Sequence, residues 1–358
     1  MKTLYCALAA ACLLTAQTPT PDGVVSPDVH PDRTVTFRIR APKAAEVALY
    51  GGWMPVTESK PMTKDANGIW SVTVGPFEPS GQLYWFILDG IAIADPVNPV
   101  VKLRQRTSAS LVEIPGSPAA PWEVRDVPHG TVVTEWAKSA LLGRTERIVL
   151  YLPPGYEKSK QRYPVLYLVH GSGDTPDSWT NAARANLILD SLIADGKAKP
   201  MIIVMPAGHA TPFGVRPAEG APSNNELFEQ YLTKELIPLV EGKYRVAAGQ
   251  KNRALAGLSM GGGHTIYTGF THPELFSALG PFSPAIPRKF ESNLDPKMPK
   301  LWIACGDKDL TTRYDRVKAW AEAVEKAGLK SSFHTYPGGH TWPVWRQSLT
   351  DFAQTLFK

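Results

Sequence analysis

From Arg253 to Thr265 the chain reads RALAGLSMGGGHT, an apolar run followed by one serine set among four glycines. Glycine inside a regular element costs roughly 0.5–1 kcal/mol relative to alanine, so this density marks a backbone path that other residues cannot follow. Gly257-Leu258-Ser259-Met260-Gly261 has the G-x-S-x-G spacing, after a strand-like run and before a helical one. In that context the strand reverses into a helix within a few residues, holding the serine in a strained conformation with its hydroxyl exposed. Cβ atoms at 257 and 261 would collide in the reversal. Such a turn belongs at the carboxyl end of a strand in a parallel sheet, where α/β folds bind their ligands.

The surrounding rhythm agrees. After Gly130, strand-like runs (RIVLYL, YPVLYLVHG, MIIVMP, RALAGLS, KLWIACG) alternate with helical ones. Ser223 and Glu226 stand at capping-box spacing before one helix. Val317, Trp320, Ala321 and Val324 form one apolar face of another, and Gly328 suits its C-cap. Apolar strands alternating with amphipathic helices predict a mostly parallel sheet covered on both sides. The front half differs. TVTFRIR alternates Val35, Phe37 and Ile39 with polar neighbours, and EVALY, IWSVTV and LYWFIL follow between Gly, Pro, Asn and Asp. Short period-two strands with turn signals predict a small β-sandwich. The expected organisation is a signal peptide over 1–16, a sandwich over 17–115, a proline-rich linker over 116–130 and an α/β domain over 131–358.

Lys2, the apolar run Leu4 to Leu14 and Leu14-Thr15-Ala16 read as an export signal, too short for a membrane span. Cys12 is a candidate for lipid attachment. Once Cys6 and Cys12 leave with the signal, only Cys305 of the three cysteines remains. No intrachain disulfide is then possible, and Cys305, inside LWIAC, reads as packing. A net charge of +5 on 358 residues, with Lys and Arg dispersed, gives no nucleic-acid stripe.

A serine hydroxyl becomes a nucleophile only when an adjacent base takes its proton. In this architecture the partners follow in the order Ser, acid, His. His264 lies in the helix leaving the serine, His272 precedes Pro273 at a helix end, and His334 sits within the strand SSFHTY. His340, in the loop PGGH, is the candidate base. The acid belongs after the preceding strand, LWIACGDKD, where spacing admits Asp307 or Asp309. Oxyanion donors are expected from the backbone N–H of Met260 and of Ser172, in YLVHGSGD. His170 beside it reads as a structural hydrogen-bonder. With no H-E-x-x-H and no clustered Cys/His spacing, neither a metal nor another cofactor is expected. Trp53, Trp70 and Trp85 could form a sugar platform but are expected to pack in and around the sandwich core.

RDVPHGTV, YLPPGY, YPVLYLVHGSGD, RANLILDSLIADGKAKPMIIVMPAG, RALAGLSMGG and PGGHTWPVW resemble secreted feruloyl and acetylxylan esterases of carbohydrate esterase family one. The likeness implies an α/β-hydrolase domain over Asp126 to Lys358, preceded by a small all-β immunoglobulin-like sandwich. It implies Asp309 as the acid, supports Ser259, His340, Ser172 and Met260, and implies that Trp342 lines an acyl or sugar pocket. One departure is Ser172, where family loops often carry an apolar residue. The implied activity is hydrolysis of feruloyl or acetyl esters on plant xylan by an exported serine esterase, with an esterified polysaccharide as partner. Alternatives are an enterochelin-esterase-like enzyme cleaving catecholate siderophore lactones, acyl transfer to a sugar, or a non-catalytic glycan-binding protein.

Overall fold

The computed structural model describes residues 23–358 apart from Val56, Arg216, Asn293 and residues 295–297. The expected leader over 1–16, with Cys12, lies outside the described residues. The front of the chain forms two antiparallel sheets. One orders the strands Asp28–Val29, Val35–Arg40, Ile69–Val74 and Thr63–Lys64. The other is centred on Val47–Gly51, Ser80–Leu88 and Ala109–Ile114. Val35, Phe37 and Ile39 turn inward and sit opposite Val74, Val72 and Trp70. They meet Leu49, Tyr84, Phe86, Val112 and Ile114 from the second sheet, closing an apolar core.

The three front tryptophans take different places. Trp70 belongs to that core, and its indole N–H donates to the Ala41 carbonyl at 3.0 Å. Trp53 packs against the core edge, 6.1 Å from Phe37 and 4.8 Å from Phe77. Trp85 alternates with the buried Tyr84 and Phe86, so it projects from the opposite face, where it stacks on Tyr50 at 4.2 Å.

The rest of the chain is an α/β-hydrolase domain. Its eight strands are β1 (Thr131–Ser139), β2 (Arg144–Leu152), β3 (Val165–Val169), β4 (Ile202–Pro206), β5 (Arg253–Leu258), β6 (Ala278–Phe282), β7 (Lys300–Gly306) and β8 (Ser331–Tyr336), in the spatial order β1-β2-β4-β3-β5-β6-β7-β8. β1–β2 and β2–β4 pair antiparallel, and every later pairing is parallel. β3 and β5 are buried along their whole length, because helices cover both faces. The helices that matter below are α1 (Ala185–Ala194), α2 (Asn224–Tyr231), α3 (Met260–Thr271), α4 (Tyr314–Lys326) and α5 (Trp342–Ala353). Ser223 and Glu226 form the capping box of α2, and α4 buries Val317, Trp320, Ala321 and Val324.

Sandwich and sheet are locked together. Arg346 of α5, fully buried, makes a bidentate pair with Glu113 of the sandwich (2.8 and 2.6 Å) and donates to the Ala182 carbonyl at 2.7 Å. Gly81 makes room for it: a Cβ there would stand 2.2 Å from the guanidinium. The connecting segment 116–130 is tied down too, with Trp122 in the hydrolase core and Arg125 paired to Asp195 at the end of α1. Among the described residues no helix is long and apolar enough to cross a membrane.

Candidate active site

β5 delivers the serine. Ser259 has φ 54° and ψ −112°, a region that L-residues rarely occupy, and α3 begins at the next residue. Its neighbours hold that strain in place. Its N–H donates to the Phe282 carbonyl at 2.9 Å, and its carbonyl accepts the N–H groups of Gly263 and Ala285. The glycines are required by contact. A Cβ on Gly257 would lie 2.6 Å from the Gly261 backbone, and one on Gly261 would lie 2.3 Å from the Val169 carbonyl oxygen.

The loops after β7 and β8 bring the candidate acid and base together. A Cβ on Gly306 would stand 2.3 Å from the Gly338 carbonyl oxygen, so its absence lets the two loops touch. Lys308 N–H donates to that carbonyl at 2.9 Å. His340 Nδ1 is 2.7 Å from Asp309 Oδ2, and the Asp309 carboxylate is buried. Its other oxygen accepts the N–H groups of Thr311 and Thr312, both at 3.0 Å. Burial raises the Asp309 pKa, but the His340 hydrogen bond and charge, with help from Thr312 N–H and the Ser283 hydroxyl, bring it below the ordinary aspartate value. Asp307 is exposed and has another task, accepting the Gly338 N–H at 2.8 Å and so fixing the loop that carries His340. No hydrogen bond joins His340 to Ser259 among the described residues; such bonds tighten when substrate binds.

Five other histidines of the hydrolase domain have structural partners. His272 contacts Glu229 and Glu274 near the surface, and His334 bonds Ser332 and stacks on Trp302. His170, His209 and His264 form a buried group behind the loop after β3. His170 Nε2 accepts the Gly208 N–H at 2.9 Å, which puts its proton on Nδ1, facing the Gly171 carbonyl at 2.8 Å. His209 Nε2 accepts the Gly173 N–H at 3.0 Å, and His264 Nε2 meets the Gly208 carbonyl at 2.9 Å. Burial holds the His170 pKa below its ordinary value. It pushes His264 down to about 3 and, with the His170 charge, His209 to about 4. Two of these rings accept N–H bonds, so the neutral form is the one that fits.

Gly171, Ser172, Gly173 and Asp174 make a tight turn, closed by Asp174 N–H on the Gly171 carbonyl at 3.2 Å, with Gly173 at φ +76°. A Cβ on Gly171 would lie 3.5 Å from the Ser259 Cβ, so this turn borders the serine. The Ser172 N–H has no acceptor among the described residues. Met260 is the first residue of α3, where a backbone N–H has no intrahelical acceptor. These two N–H groups are the ones expected as oxyanion donors. Trp342 lies 3% exposed in an aromatic cluster with Trp179 (5.6 Å) and Trp345 (5.2 Å). It supports the site from within, and Trp345 carries the cluster to His340 at 4.9 Å. Cys305 is buried with its thiol pushed up to about 12 by burial and by the Asp309 charge, which makes it a packing residue.

The sequence reading missed two contributors. His209 holds the turn from the β4 side. The sandwich segment 102–106 reaches it from the other side, with Gln105 N–H donating to the Gly173 carbonyl at 2.8 Å.

The family model Esterase matches residues 139–356. The endo-1,4-beta-xylanase/feruloyl esterase of Xylanibacter ruminicola is 35% identical over 344 residues, 93% of this chain and 46% of that protein. The chain thus spans under half the length of the first curated relatives it matches. A ferulic acid esterase of Anaeromyces mucronatus, solved with ferulic acid, is 25% identical with a TM-score of 0.58, covering 66% of this chain and 93% of that one. The enterobactin esterase of Shigella flexneri has a TM-score of 0.69 at 18% identity, over 90% of this chain and 92% of that one, a likeness of fold.

Proposed function

Because the chain belongs to the Esterase family, we propose that it hydrolyses carboxylic esters through Ser259, with feruloyl or acetyl groups on xylan as the substrates. The observations that carry the mechanism are the strained elbow that holds Ser259 at the end of β5 and a His340 whose Nδ1 is fixed on buried Asp309. Ser259 Oγ attacks the ester carbonyl carbon while His340 Nε2 takes the hydroxyl proton. Asp309 holds the imidazole in the tautomer with Nδ1 protonated and stabilises the imidazolium that forms. The tetrahedral oxyanion is received by the N–H groups of Ser172 and Met260, since backbone donors held by a turn and a helix start need little reorganisation as the charge develops. Collapse expels the sugar oxygen, which takes the proton from His340, and leaves the acyl group on Ser259. Water, deprotonated by His340, then releases the acid and restores the serine. The xylan reading is supported by the 35% identity to a xylanase/feruloyl esterase that runs over 93% of the chain. The leader expected over 1–16 would deliver the enzyme to such a polymer outside the cytoplasm.

The test is hydrolysis of methyl ferulate and of acetylated xylan side by side, with Ser259→Ala as control. Ferulate release assigns a feruloyl esterase, and acetate release alone an acetylxylan-type enzyme. Either activity should fall by several orders of magnitude in Ser259→Ala. Activity that survives this change refutes the mechanism, and cleavage of neither substrate refutes the xylan reading.

A further inference from the structure

The turn that borders Ser259 is held on both sides of Ser172, at Gly171 and at Gly173–Asp174, and much of the grip comes from the other domain. On the hydrolase side, the Gly171 carbonyl accepts from Asp174 N–H and faces His170 Nδ1, while Gly173 N–H is held by His209. On the sandwich side, Gln105 N–H donates to the Gly173 carbonyl, and the Gln105 side-chain amide reaches the Asp174 carbonyl at 3.3 Å. Lys102 then closes the grip. It belongs to the sandwich strand Val101–Lys102, is 1% exposed, and pairs its ammonium with Asp174 Oδ1. The same ammonium lies 5.3 Å from the centre of the Trp342 ring, whose face favours a cation. The N–H of Ser172, between these held positions, has no acceptor among the described residues.

A lysine buried to this degree needs a reason. Burial lowers its pKa, and Asp174 works against that shift. A pair taken out of water is weak evidence for stability, since the desolvation penalty of both charges offsets their attraction. What a buried pair does supply is a fixed geometry at one point, and here that point is two residues beyond Ser172.

We propose that Lys102, contributed by the β-sandwich, is a positioning residue for ester hydrolysis: through Asp174 it sets the 171–174 turn so that the Ser172 N–H meets the oxyanion. The proposal rests on the reading of Ser259 and the oxyanion donors given above. An interaction of this kind acts on the transition state, because the ester oxygen carries its full negative charge only there. The sandwich is therefore part of the catalytic apparatus as well as an appendage to it.

The experiment uses the full chain, steady-state kinetics on methyl ferulate and 4-nitrophenyl acetate, and thermal melting of each variant. Lys102→Met leaves Asp174 buried and unpaired, so it is accompanied by Lys102→Met/Asp174→Asn, which removes both charges, and by Lys102→Arg, which keeps the cation. In the double variant kcat should fall about 10- to 100-fold on both esters with KM within about twofold, the scale expected when one oxyanion donor is misplaced. Lys102→Arg should recover part of that loss. A double variant that melts lower yet keeps kcat within about twofold of the parent would show a purely architectural pair and overturn the proposal. So would a loss carried by KM alone. Ser259→Ala separates the two levels: if it keeps activity, the mechanism fails before Lys102 is in question, whereas its inactivity beside a fully active double variant refutes the positioning role alone.

Discussion

Replacing Asp309 with asparagine should cost far more than the loss of one charge suggests, because of how its two oxygens are used. Oδ1 accepts two backbone N–H groups, from Thr311 and Thr312, at 3.0 Å each. An amide NH2 in that place would face two donors, so the asparagine oxygen must stay there. Its NH2 then takes the Oδ2 position, 2.7 Å from His340 Nδ1. Facing a donor, Nδ1 must give up its proton and become the acceptor, which moves the proton to Nε2. A protonated Nε2 cannot take the serine hydrogen. The expected loss in kcat is about four orders of magnitude, or about 5.4 kcal/mol at 1.36 kcal/mol per tenfold. KM should stay near the parent value, and the melting temperature should move little, because the bonds to Thr311 and Thr312 persist. Asp307→Asn is the matched control. Its carboxylate is exposed and accepts one N–H from Gly338, so kcat should stay within about tenfold on the strength of one neutral-for-charged hydrogen bond. The assay is release of 4-nitrophenol from its acetate at pH 7.5, with stopped-flow detection for the parent and hours-long incubation for the variant. An Asp309→Asn enzyme keeping a tenth of the parent kcat, or an Asp307→Asn enzyme losing more than it, would refute the reasoning.

Two other outcomes follow from the same geometry. Gly261→Ala places a methyl 2.3 Å from the Val169 carbonyl oxygen and 2.7 Å from that of His170, backbone atoms that cannot swing away. Overpacking of this kind costs about 1–3 kcal/mol and should lower the melting temperature. Gly242→Ala, in the helix Ile237–Lys243 with nothing within 4 Å of the new methyl, should instead stabilise by about 0.5–1 kcal/mol. Equal effects at the two sites would contradict the steric account. Acid should unfold the protein early. The folded-state pKa of His264 is depressed from 6.5 to about 3 and that of His209 to about 4, so the unfolded chain binds protons there that the folded chain refuses. Stability is therefore complete above pH 6.5 and is lost progressively as pH falls toward 3. Urea midpoints measured from pH 7 to pH 4 should decline, and less steeply in His264→Gln. An unchanged slope in that variant would rule out His264 as a source.

What the residues could reveal in advance depended on how far apart the interacting groups lie in the chain. The elbow was legible because its whole requirement, a strand, two glycines around a serine and a helix, is written within Arg253 to Thr265. The inward set Val35, Phe37 and Ile39 was legible for the same reason, since period two declares itself over a few residues. Which aspartate meets His340 was ambiguous by spacing, because Asp307 and Asp309 share one loop and differ in which way the backbone turns them. Trp85 shows where composition misleads: adjacent to two core aromatics, it alternates out of the core to lie on Tyr50. Lys102 and Asp174 were out of reach. They stand 72 residues apart in different domains, and neither carries a local pattern that names the other. Trp342 had a strong local motif, PGGHTWPVW, but the motif does not say that Trp179 and Trp345 close over its ring.

The pairing of Glu113 with fully buried Arg346 bears on how such a protein can be taken apart or recombined. Cutting between the modules would leave a guanidinium in the hydrolase core without its carboxylate, beside the gap that Gly81 now lines. A foreign sandwich fused at residue 116 would need both a carboxylate at the position of Glu113 and a bare backbone at that of Gly81 to dock at all. The exchangeable cassette is consequently the whole two-module body, and a library that shuffles the modules independently should yield soluble protein only where those two features are transplanted together.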